Sequence, residues 1–114
     1  MSAGLQVLSA TIVVYTQGAG PESPEEFLAP SGQVAAYEVP LVAPGNAAGR
    51  VVGAWHTPID NLPSLGAFVR LDVVPSEQHP GAVRLTASGQ PGQQGRIRLR
   101  ITALCEPVAT RGGY

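Results

Sequence analysis

Residues Arg96 to Ile101 read Arg-Ile-Arg-Leu-Arg-Ile, a strict alternation of charged and apolar side chains. A helix would scatter those arginines around its whole circumference. An extended strand instead sets Arg96, Arg98 and Arg100 on one side and Ile97, Leu99 and Ile101 on the other. The segment therefore demands a sheet with one wet face and one buried face. The same period recurs upstream, where Val83, Leu85 and Ala87 alternate with Arg84 and Thr86. It recurs again where Val69, Leu71 and Val73 alternate with Phe68, Arg70 and Asp72, and Val69, Leu71 and Val73 are the expected inward set. Helical periodicity is nearly absent, and 14 glycines and 11 prolines cut the chain into short β-branched runs. The fold class is all-β.

Strands are expected over Leu5 to Tyr15, Gln33 to Val42, Arg50 to Thr57, Ala67 to Val74, Ala82 to Ser88 and Arg96 to Leu104. Glu22 to Leu28 reads as one short helical turn, with Ser23 as N-cap, Pro24 at the first helical position and Glu26 three residues beyond the cap. Residues 1–114 make a single domain, and Gly89 to Gly95 is a loop within it rather than a linker. The arginine ladders, with Asp72 and Glu38 available to pair across them, form a solvated outer face. Short successive strands suit either an up-and-down antiparallel barrel or a two-sheet sandwich. Gly53, Ala36, Ala54, Ala67 and Ala87 interrupt the apolar face, and small interior residues favour a barrel with a cavity.

Composition excludes several classes. A net charge of −1 supplies no long-range field for nucleic acid or an anionic membrane, so neither is an expected partner. No apolar run approaches the ~18 residues of a spanning helix, and the N-terminal segment lacks the basic start of a signal peptide, so a cytoplasmic protein is expected. All seven basic residues are arginine, which together with the Ala, Gly, Pro and Val excess suggests a GC-rich bacterial genome. Cys105 is the single cysteine, and neither His56 nor His79 stands at metal-ligand spacing from it or from the other. No phosphate-binding loop and no nucleophile–base constellation is present. No metal and no cofactor are expected.

The stretch Gly32 to Trp55 carries the turn chemistry of a hairpin. Gln33 to Val42 and Arg50 to Thr57 flank a breaker cluster, Ala43 to Gly49, that contains Pro44, Gly45, Asn46 and Gly49. Its order of Gly32, Tyr37, Leu41, Gly49 and Val52-Gly53 resembles the hairpin of the allene oxide cyclase-like and dirigent-like β-barrels. Within them it is closest to the bacterial spirotetronate-type cyclases, which close polyketide rings by 4+2 cycloaddition (Diels–Alder type). Gly81 to Gly89 resembles that family's Gly-flanked strand, and Val108 to Tyr114 resembles the Gly-rich turn before its closing strand. Pro40 departs from the pattern, because it removes a ladder donor. The family's closing strand would follow Tyr114. Its place is taken by a longer native chain, by closure with fewer strands, or by a neighbouring subunit in a homodimer.

The resemblance implies a cofactor-free cyclase that holds a linear, mostly apolar small-molecule substrate in a barrel cavity. Such a pericyclic step transfers no proton, so holding the reacting ends together is the catalysis. Substrate-binding candidates follow from strand parity and from the motif. Tyr37 takes the lumen-aromatic position, Trp55 forms a cavity wall, and Tyr15 and Tyr114 cap the mouth. Arg70 is the polar contact if the fourth strand is turned opposite to the expected parity. Gln17 to Ser31 is either a lid over the barrel mouth or an irregular crossover plugging one end. The alternative reading of the whole chain is a non-catalytic β-sandwich or jelly-roll assembly module, such as a phage capsid or tail component.

Overall fold

The computed structural model describes residues 5–41 and 49–106. Its strands are β1 (Gln6–Thr16), β2 (Phe27–Ala29), β3 (Ala35–Pro40), β4 (Arg50–Asp60), β5 (Phe68–Pro75), β6 (Ala82–Gly89) and β7 (Arg96–Glu106), with a 3-10 segment, Leu62–Ala67, leading into β5. They form two sheets, ordered β2-β1-β7-β4 and β3-β6-β5. The β1–β2 pair is parallel and the other pairs are antiparallel. The all-β expectation holds, and the architecture is two facing sheets.

Strand β7 organises the first sheet. Its alternation pairs Ile97 with Val14, Leu99 with Ile12 and Ile101 with Ala10 of β1, all turned toward the second sheet. From that sheet Val83, Leu85 and Ala87 of β6, Val39 of β3 and Val73 of β5 face them. Val14, Val83, Leu85, Ile97, Leu99 and Ile101 are completely buried, at 0% exposure. Removing each from water contributes roughly 1.5–3 kcal/mol, so this layer is the main source of stability. The period-2 reading of β6 and β7 is correct residue by residue.

The expected pairing of Gln33 to Val42 with Arg50 to Thr57 is not what forms. Strand β3 pairs with β6, Tyr37 opposite Leu85 and Glu38 opposite Arg84. Strand β4 pairs with β7, in the other sheet. The connection therefore crosses between sheets, and most of the breaker cluster, residues 43–48, lies outside the described residues. Crossing lets each strand bury its apolar face against a facing sheet, which a two-stranded ribbon cannot do.

Bulges take two residues out of the alternation. A register shift between Phe68 and Arg70 leaves Val69 as the extra residue of β5. Val69 is consequently 61% exposed, while Phe68, Leu71 and Val73 pack on the core. A bulged residue leaves the alternation, which is why the expected inward position of Val69 fails. A second shift, between Val51 and Gly53, turns Val52 outward. Ala36, expected among the small interior residues, is exposed, whereas Ala67 and Ala87 are buried.

Glu22 to Leu28 is a turn followed by a strand rather than a helical turn. Ser23 Oγ does act as a cap, accepting from the Glu25 amide at 3.1 Å, and the Glu26 carboxylate accepts from the Glu22 amide at 3.1 Å. The chain then extends, and Phe27, Leu28 and Ala29 pair alongside Val14, Tyr15 and Thr16 of β1. Arg96 fastens this crossover through Glu22 at 3.1 Å, Glu26 at 3.3 Å and the Gly20 carbonyl.

Candidate functional site

The two sheets approach each other along two seams. At the first, β2 lies by β3. The Tyr37 hydroxyl donates to the Leu28 carbonyl at 2.6 Å, and its ring meets Phe27 edge-on with centroids 5.1 Å apart. Burial lifts the Tyr37 phenol above its ordinary value. Its side chain packs against the core, and its hydroxyl is committed to joining the sheets. Tyr15 sits nearby on β1, paired with Arg96 and beside Leu28. Tyr114 lies outside the described residues.

At the second seam β4 lies by β5, and a surface cleft of about 350 Å³ opens between them. Trp55 and His56 come from β4, Arg70, Asp72 and Val74 from β5, and Thr86 from β6. Two sequence-predicted residues, Trp55 and Arg70, thus meet at one place, while Tyr15 and Tyr37 stand together at the other seam. Trp55 pairs with Thr102 on the outward side of β4 and is 46% exposed. His56 pairs with Ile101, whose side chain is in the core, so His56 lies on the inward side at the edge of the seam. Arg70 Nε donates to Asp72 Oδ2 at 2.5 Å. The cleft therefore combines a half-exposed indole with a self-neutralised ion pair.

Sequence reasoning missed Thr86 and Asp72 as neighbours of Trp55. The Arg70–Asp72 spacing was legible, since residues two apart in a strand share a face. Thr86 joins them only because β6 pairs with β5 in the register that sets Asp72 opposite Thr86.

A second cleft, about 380 Å³, lies on the outer face of the first sheet between Val13, Asp60, Asn61, Arg96 and Arg98. Its charges are already matched, Arg98 to Asp60 at 3.2 Å and Arg96 to the two glutamates. Asn61 holds a left-handed backbone, φ 55°, and its side-chain amide donates to the Arg96 carbonyl. Asn tolerates that conformation better than most residues. The expectation that the arginine ladders form a paired, solvated face is met here and across β3–β6, where Arg84 reaches Glu38 at 3.2 Å.

Among the described residues, no cluster of His, Cys, Asp and Glu is arranged to hold a metal. Cys105 is buried on β7, and burial pushes its thiol up, away from the reactive thiolate. His79 sits in the β5–β6 turn, where Ser76 Oγ accepts from the Gln78 and His79 amides. Comparison of this chain with protein-family models, curated proteins and solved structures yields no match.

Proposed function

We propose that this chain is a non-catalytic β-sandwich module that acts through its outer surface, in the manner of structural and assembly domains such as capsid or tail components. The observation that carries this reading is the filled interior. Among the described residues, Val14, Ile97, Leu99 and Ile101 of one sheet meet Val83, Leu85 and Ala87 of the other at 0% exposure, so the layer they form leaves no hollow for a guest. The wiring supports it too: β1, β3, β4 and β5 alternate between the sheets, as strands do in a jelly roll. The two abutting seams make the sandwich resemble a flattened, incompletely closed barrel, so barrel ancestry and surface action are compatible.

A second reading is the cofactor-free cyclase acting on an apolar linear precursor, and it is favoured by the convergence of Trp55 and Arg70 on one cleft. The two readings separate on a binding titration with a long-chain conjugated polyene. The module reading expects no saturable binding to the native protein. Stoichiometric binding accompanied by conversion to a cyclised product would overturn it and establish the cyclase.

A further inference from the structure

We infer that the β4–β5 cleft binds a neutral carbohydrate, with a pyranose ring laid on the indole of Trp55 and its hydroxyls bonded by the Arg70–Asp72 pair. The inference rests on the reading of the chain as a surface-acting module and names the ligand class of its cleft.

Arg70 and Asp72 neutralise each other at 2.5 Å, so the pair adds no net charge to the cleft. Their side chains are nevertheless half exposed, at 52% and 50%, which leaves guanidinium donors and carboxylate lone pairs unused by the pair itself. A site offering adjacent donors and acceptors at zero net charge matches vicinal hydroxyls, each of which is both donor and acceptor. Thr86, opposite Asp72 in the β5–β6 register, adds a third hydroxyl-bonding group of the same kind.

Trp55 supplies the other half of the site. An indole left 46% exposed on a sheet face offers a flat apolar surface with a polar tip. A wholly apolar guest would cover Thr86 and the donors and lone pairs that the Arg70–Asp72 pair leaves unused without giving them partners, which costs binding. A wholly polar guest would leave the indole unused. A pyranose has an axial C–H face and an equatorial rim of hydroxyls, and it satisfies both. At about 350 Å³ the cleft lies within the ~300–1,000 Å³ range of small-ligand sites. Its openness to solvent suits a unit within a longer chain.

Trp55 is the single tryptophan, so its emission reports on this cleft alone. The protein is titrated with cellohexaose, maltohexaose, chitohexaose and xylohexaose while that emission is followed, with calorimetry in parallel. At least one is expected to give a saturable spectral change. Asp72→Ala is expected to weaken that binding at least about tenfold, and Trp55→Ala to abolish it by calorimetry, both with the melting temperature retained. No response to any of the four, or binding indifferent to both substitutions, overturns the assignment. If the polyene is also without effect, the carbohydrate inference falls and the module reading stands. If the polyene alone binds and is cyclised, both fall.

Discussion

The hydroxyl of Tyr37 spans the gap between the sheets, from β3 to the carbonyl of Leu28 on β2, while its ring rests on Phe27. Tyr37→Phe keeps the ring contact and removes the bond, so urea unfolding should show a loss of about 0.5–1.5 kcal/mol. The pH dependence follows from the direction of the shift. The folded phenol lies above its unfolded value of 10.0, so its contribution is intact below that value and is lost as pH rises through the folded pKa. The Phe variant should lack this alkaline decline, and a superimposable alkaline limb in both proteins would refute the assignment. Glu38 shows the opposite sign on the outer face. The Ser76 hydroxyl, followed by Arg84 and His79, holds its carboxyl below the usual range against a smaller opposing desolvation. Its contribution is present above the ordinary carboxylate pKa and fades as pH falls through the folded one. Because the carboxylate is only partly buried, Glu38→Gln should change the acid limb only slightly.

Among elements, the end of β6 lies hard against the chain that leaves β2. Gly89 donates to the Pro30 carbonyl at 2.8 Å and accepts from the Gly32 amide at 3.0 Å. A Cβ at Gly89 would stand 2.8 Å from the Ala29 carbonyl oxygen, a backbone atom that cannot swing aside. Gly89→Ala should therefore destabilise by roughly 1–3 kcal/mol and lower hydrogen-exchange protection at the Gly32 and Gly89 amides. The bulge in β5 makes a contrasting case. Val69 is expelled from the alternation, so Val69→Thr should fall within about 0.5 kcal/mol of the parent. Leu85→Ala, in the filled layer, should cost about 2–5 kcal/mol. A large effect at Val69 in chemical denaturation would mean that the bulge lies elsewhere.

At the scale of the whole molecule, the long crossover from β1 to β3 supplies the parallel edge strand of the first sheet. Arg96 ties it to β7 through Glu22, Glu26 and the Gly20 carbonyl, and Phe27 and Leu28 carry it into the sheet. An element fastened in this way is expected to carry stability rather than to move as a lid. Deleting Gly18 to Glu26 should lower the melting temperature by at least about 4 °C, the equivalent of roughly 1 kcal/mol for a domain of this size. An unchanged melting temperature with altered ligand uptake would restore the lid. The remaining ion pairs are exposed and contribute little individually, so molar salt should barely move the transition.

The order of residues along the chain settled which side of each regular strand is apolar. Two-residue alternation is a property of the local backbone, and it put Ile97, Leu99 and Ile101 inside and their arginine neighbours outside without reference to any partner. It also put Arg70 and Asp72 on one face. Partnership was decided by the tertiary structure: β3 with β6, β4 with β7, and the three residues of β2 drawn into a parallel edge. So were the bulges that turned Val52 and Val69 outward, and with them the meeting of Trp55 with Asp72 and Thr86. Loop-closure entropy grows only as the logarithm of separation, so a neighbouring strand holds a small advantage over a distant one. The choice falls to whichever pairing lets every apolar face be buried at once, and no segment carries that information alone.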